Sequence, residues 1–194
     1  TMAAQSFGVY AGINEAIGHA SDKSAPSIHH ADDIRRQMAL MTAIRTFALL
    51  DRSASISLQA VRSFLLEQDS IEKVAMLYAS TEPPSSHESA KVECLAARDR
   101  FLNEYQTISW DAFGRLQSFR NTAIAHIGAE VTKFVRYSEL ERIVRTCARL
   151  TGEFILMTDG RNQWPEEVID DNRENSLRFW SAIFAADARG TIEY

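Results

Sequence analysis

Apolar positions along this chain recur every three to four residues, Gly and Pro are sparse, and no stretch sustains the strict alternation of a half-buried strand. Ile34, Met38, Met41, Ile44 and Ala48 form one stripe, opened by Asp32-Asp33 in what reads as a first helical turn. A Ser-rich link, Ser53 to Ser57, separates it from Leu58, Val61, Phe64 and Leu65. Ile71, Val74, Ala75 and Tyr78 continue that stripe or start a new one. Pro83-Pro84 breaks the pattern, and Ser85 with Glu88 has capping-box spacing for the next helix, whose stripe is Val92, Leu95, Leu102 and Tyr105. Trp110 to Ile127 reads as a helix stopped by Gly128. Tyr137, Leu140, Val144, Cys147 and Phe154 mark a long helix ending before Asp159-Gly160. Trp164-Pro165 opens the last helix, with stripe Ile169, Leu177, Trp180 and Phe184.

The pattern predicts an all-α chain, an up-and-down helical bundle with flanking helices. Its 194 residues suit a single helical domain over 1–194, with a core bundle at 31–157 and a C-terminal helix at 164–188. Residues 1–30 carry the weakest signal, because Gly8, Gly12, Gly18 and Pro26 all disfavour a helix. No apolar run approaches the roughly 18 residues of a membrane helix, and no secretory signal is visible. Cys94 and Cys147 both lie in apolar helical patterns and read as buried free thiols, so a reducing, cytoplasmic setting is expected.

The net charge of −5 argues against holding duplex DNA by bulk electrostatics. The charge is uneven, however. Asp111 to Arg149 contains Arg115, Arg120, Lys133, Arg136, Arg142, Arg145 and Arg149 against four acids, and is the positive part of an acidic protein. Ordinary scatter explains this excess as readily as a site does.

Within that segment, SFRNTAIAHIG (Ser118 to Gly128) places three site-type side chains among alanines and isoleucines. On a helical wheel, Ala112, Phe113, Leu116, Ala123, Ile124 and Ile127 share an apolar stripe, and Arg120 falls near its middle. A desolvated guanidinium without partners costs several kcal/mol. Arg120 must therefore pair with a carboxylate, snorkel outward, or line a cleft or interface where an anion arrives. His126 lies on the stripe's edge and Asn121 about 100° round from Arg120. Arg120 and His126 are separated by about 9 Å of rise and roughly 120° of rotation. They meet only if the arginine curls back or a second copy of the helix completes the site across a twofold axis.

Arg120-Asn121-Thr122-Ala123-Ile124-Ala125-His126, an R-N-x-x-x-A-H string, resembles the signature of the HEPN superfamily, and its spelling is closest to the AbiU-type abortive-infection branch. RTFALLDRSASISLQAVRSFL, Arg45 to Leu65, is similar to that branch's helix, short Asp-containing link and Ser-Leu helix start. The likeness covers Ile34 to Leu156. Asn121 stands where many members carry Asp or His, and Ile127-Gly128 follows the histidine where an Asp is common. The resemblance implies a helical homodimer whose two motifs face each other, and a metal-independent endoribonuclease of the phage-defence or toxin type. In that chemistry the RNA 2′-OH attacks the adjacent phosphate. His126 acts as general base or acid, Arg120 holds the phosphate, and Asn121 positions phosphate or imidazole.

The alternative is a non-catalytic homodimer of the same architecture that binds RNA or a protein partner such as an antitoxin or regulator. Trp164, Phe179, Trp180 and Phe184 serve such a dimer or partner surface, or simply the core. No cofactor motif, Gly-rich phosphate loop or serine elbow is present. His29-His30 with Asp32 and Asp33 lacks a ligand spacing and reads as preceding and capping a helix. His19 and His87 read as surface residues, and Glu166-Glu167 and Asp170-Asp171 as complements to a helix dipole.

Overall fold

The computed structural model describes residues 2–81, 86–125 and 135–190, with 123–125 placed as helical backbone. His126, Gly128, Lys133, Pro83-Pro84 and Ser85 lie outside the described residues. Eight α-helices are described: α1 (Met2–His19), α2 (Pro26–Leu50), α3 (Leu58–Leu65), α4 (Ser70–Ala79), α5 (His87–Gln106), α6 (Trp110–Ala125), α7 (Tyr137–Asp159) and α8 (Pro165–Asp187). No strand occurs among the described residues, and none of these helices is long and apolar enough to cross a membrane.

Helix α7 is the hub and meets each of the other helices. Leu140, Ile143, Val144, Cys147, Ala148 and Leu150 are buried around much of its circumference. One cluster of core residues joins α7 to the end of α2, to α3, α4 and α5, and to the start of α6. A second joins α7 to α1, α2, α6 and α8. The ends of α7 are well marked. The Arg136 backbone N–H donates to Glu139 Oε2 at 3.2 Å. Gly160 closes the helix in the left-handed region at φ 63°, where a Cβ would also lie 2.6 Å from Thr81 Oγ1.

The weak signal over 1–30 conceals one of the tightest contacts. Residues 2–19 are helical throughout, and α1 packs along α8. A Cβ on Gly8 would lie 2.4 Å from the Ile169 carbonyl oxygen, and one on Gly12 2.2 Å from that of Arg173. The glycines that lower helix propensity are what let two backbones approach. Ion pairing between Arg173 and Glu15, 2.7 Å, fastens the same two helices at their surface.

Helix α2 also departs from its pattern. It begins at Pro26, a turn and a half before Asp32-Asp33, so His29 and His30 lie inside the helix, exposed, and do not precede or cap it. Its N-cap residue, Ala25, has no capping side chain. Asp187 at the end of α8 accepts from Ser27 N and Oγ at 3.2 and 2.5 Å. Asp32 instead pairs with Arg35 and Arg36. The buried face is Ala31, Thr42, Ala43, Thr46, Phe47 and Leu50, while Ile34, Met41 and Ala48 of the expected stripe face outward. On α5 the buried stripe is Ala90, Cys94, Ala97, Phe101 and Tyr105, and Val92 is exposed. Small residues prevail there because α5 lies close against α4 and α7. Ser86, directly after the undescribed Ser85, supplies the N-cap of α5 and accepts from Ser89 N at 3.2 Å.

The two kinds of helical glycine should respond oppositely to added side chains. Gly12→Val should cost roughly 2–3 kcal/mol by forcing α1 off α8. Gly114→Ala, mid-helix in α6 with nothing within 4 Å of its Cβ position, should add about 0.5–1 kcal/mol. Urea unfolding followed by circular dichroism reads both; equal effects would contradict the close α1–α8 approach.

Candidate functional site

Helix α6 carries the Arg-Asn pair. Ala112 and Leu116 are buried on its inner stripe, and Arg120 follows one turn later on the same side. Its guanidinium carbon sits 4.2 Å from the centroid of the Phe47 ring on α2. Nη1 donates to Asn121 Oδ1 at 2.7 Å, while Nε is buried without a hydrogen-bond partner among the described residues. No carboxylate among the described residues lies within ion-pair distance of Arg120. Asp51, the residue that ends α2, feels the Arg120 charge. Asp51 accepts from Ser53 Oγ and N at 2.7 and 2.9 Å, and these bonds, with a smaller share from Arg120, hold its carboxyl below the usual range.

Three other arginines of the positive segment are engaged in ion pairs. Arg115 forms a two-pronged pair with Glu139 at 2.6 and 3.2 Å, which ties α6 to α7 and lowers the Glu139 carboxyl. Arg145 reaches Asp170 at 2.8 Å and Glu141 at 3.1 Å. Arg149 reaches Glu104 at 2.7 Å and Glu166 at 2.9 Å. Glu166 and Asp170, read in the sequence as helix-dipole complements, thus also serve as counter-ions for α7. These three arginines are framework, and Arg120 differs from them in having an aromatic ring and an amide where they have carboxylates.

Phe47 also lines a cleft of about 560 Å³ beside Arg120. Phe113 stacks on Phe47 with centroids 5.5 Å apart and planes 6° from parallel. Trp110 meets Phe113 edge-on and Tyr105 at 5.7 Å, and is 43% exposed. Arg62 of α3 lies over the Tyr105 ring at 5.2 Å, and Arg52 stands on the link after α2. Burial raises the Tyr105 phenol, and Arg62 and Arg52 oppose that rise. The sequence reading missed this cleft. Its signal lay in the Arg45–Leu65 stretch, which supplies Phe47, Asp51, Arg52 and Arg62, but the partners Tyr105 and Trp110 come from distant helices.

Arg120 and Asn121 are thus placed together, and His126 lies outside the described residues. Elsewhere, His87 Nε2 stands 3.2 Å from Glu72, whereas His19 is exposed. No group of three or more His, Cys, Asp or Glu side chains converges as a metal would need, among the described residues. Phe184 is buried, Trp180 partly so, and Phe179 and Trp164 are exposed, so the C-terminal aromatics divide between core and surface. Compared with family models, curated proteins and solved structures, the chain matches none.

Cys94 and Cys147 are free and buried, and burial pushes their thiols up to about 11 and about 12. Neither is a nucleophile near neutral pH, since the thiolate is the reactive form. Iodoacetamide at pH 8 should leave both unmodified in the folded protein and alkylate both in denaturant, as read by intact mass. Rapid alkylation of either in the native state would contradict their burial.

Proposed function

We propose that the protein is a HEPN-like, metal-independent endoribonuclease of the phage-defence or toxin type, acting as a homodimer. Arg120, Asn121 and His126 form its site. The observation that carries this reading is the setting of Arg120. A guanidinium on the inner stripe of a helix, left without a carboxylate among the described residues and with Nε unpartnered, keeps its charge available for an anion. Phe47 and Asn121 fix its direction without neutralising it.

In the proposed reaction the RNA 2′-OH attacks the adjacent phosphorus. The bond from phosphorus to the 5′ oxygen breaks, leaving a 2′,3′-cyclic phosphate and a 5′-OH. His126 takes the 2′-OH proton or supplies one to the departing 5′ oxygen, a task suited to an imidazole near neutral pH. Arg120 bears the charge that grows on the phosphoryl oxygens. Asn121 Oδ1 already accepts from Arg120 and so acts by orienting it. A 120° rotation between Arg120 and His126 favours completion of each site by the second protomer. The other reading, a homodimer that binds RNA or a protein such as an antitoxin without cutting, takes the same residues as interface or packing groups.

Incubation of RNA with the purified protein in EDTA distinguishes them. Cleavage with cyclic phosphate ends is expected, and His126→Ala and Arg120→Ala should each lower it by roughly a hundredfold or more at unchanged helicity. If the wild type leaves RNA intact and Arg120→Ala lowers the melting temperature or splits the dimer, the motif is structural.

A further inference from the structure

The cleft beside Arg120 has a chemistry of its own, and it shares Phe47 with the Arg120 setting. Its volume of about 560 Å³ falls within the roughly 300–1,000 Å³ common for small-ligand sites. Its walls come from four places in the chain: the end of α2 and the link after it, α3, the end of α5, and the first turns of α6. Aromatic rings form one side. Trp110 keeps 43% of its surface exposed although it packs against Tyr105 and Phe113. A half-exposed indole fixed by two other rings is a pre-set platform for a flat aromatic ligand.

Cations form the rim. Arg52 and Arg62 are both exposed, and neither pairs with a carboxylate among the described residues, in a protein where most arginines of the neighbouring helices are paired. Arg62 is held in place by the Tyr105 face rather than by an acid. Arg120 stands over the far ring, Phe47. Asp51 is the acidic group of the lining; its Oδ1 accepts from Ser53 N and Oγ, and these bonds hold its carboxyl below the usual range, so it stays negative opposite the arginines. Gln59 donates Nε2 to the Leu50 carbonyl at 2.6 Å, while Gln117 is exposed and offers both amide donor and acceptor.

A planar aromatic platform, an uncommitted amide and a rim of unpaired guanidinium groups match one ligand chemistry: an aromatic base joined to a phosphate. We infer that this cleft binds a nucleotide unit, the base on Trp110 and beside Gln117, the phosphate on Arg62 and Arg52. The unit comes either as a free mononucleotide or as one residue of a single-stranded RNA, and the shared chemistry is the same.

Tryptophan fluorescence of the full chain in EDTA, titrated with AMP, with ribose 5-phosphate and with a fully 2′-O-methylated tetra-adenylate, tests this. The methylated strand has no free 2′-OH, so binding is read apart from cleavage and fails or succeeds independently of the nuclease reading. AMP or the tetranucleotide should quench fluorescence, and ribose 5-phosphate should bind at least roughly tenfold more weakly, having no base to stack. Arg62→Gln and Arg52→Gln should each weaken binding roughly tenfold. Trp110→Phe should remove the quenching at unchanged helicity. Binding by AMP alone identifies a free nucleotide, by the tetranucleotide alone a strand, and competition between the two a unit common to both. The proposal is overturned if neither binds at millimolar concentration, if ribose 5-phosphate matches AMP, or if both arginine variants bind as the wild type does. Both arginines are exposed, so their replacement leaves the core in place.

Discussion

A helix that touches seven others cannot have a conventional wet face. Helix α7 is in this position, and the rest of the structure follows from how its polar residues are accommodated. Apolar burial handles most of its circumference. At Arg145 and Arg149, one turn apart, α7 presents two guanidinium groups to the junction with α5 and α8. Four carboxylates meet them there: Glu141 on α7 itself, Glu104 on α5, and Glu166 and Asp170 on α8. Shared counter-ions on partly exposed side chains contribute little as isolated pairs. Joined across three helices, they fix how α8 enters against α7, because Glu166 bridges Arg145 and Arg149 while Asp170 holds Arg145 one turn further along α8. Asp170 is the chief reason the Arg145 guanidinium is bound so firmly to its proton.

The same arrangement sets Arg120 apart. Every carboxylate that holds an α7 arginine, and the Glu139 that holds Arg115, is committed to the hub. Arg120 lies one turn beyond Leu116, where α6 crosses α2. What it meets there is the face of Phe47. A ring attracts the cation and leaves its charge uncompensated, so the potential persists outside. That is a physical distinction between an arginine fastened to carboxylates and one held by a ring.

The extent to which sequence revealed this varied by element, for identifiable reasons. Helix α7 was legible because its burial follows large apolar residues at helical spacing and its end carries Gly160 in a left-handed turn. Helix α8 was legible for the same reason, with Pro165 in its first turn and Ile169 and Phe184 buried. Helix α2 misleads because two large apolar residues of its expected stripe, Ile34 and Met41, face outward while Thr42 and Thr46 are buried. Thr42 satisfies its hydroxyl on the Met38 carbonyl at 2.7 Å, so a polar residue enters the core without needing a partner from another helix. Helix α1 misleads because Gly8 and Gly12 lower helix propensity locally yet serve the close approach to α8, which depends on a partner distant in sequence. At the site, spacing alone puts Arg120 on the side of the buried Ala112 and Leu116; Ile127 of the expected stripe lies outside the described residues. The ring beneath it and the cleft beside it depend on which helices cross, and no local pattern encodes that.

Phe47 belongs to both the Arg120 setting and the cleft, and this determines how the two can be separated. Its ring is 6% exposed, carries Arg120 at 4.2 Å and stacks on Phe113. Removing it would loosen the α2–α6 crossing, free the guanidinium and open the aromatic wall together, so a loss of function there would identify nothing. Groups that belong to one feature alone lie further out: Arg62 and Arg52 on the rim, Trp110 at the start of α6, Asn121 beyond the crossing. Contacts more than about 7–10 Å apart with no shared partner act nearly independently, whereas residues joined through one ring do not. Binding in the cleft and chemistry at Arg120 are therefore expected to be coupled through Phe47 and separable at the outer residues.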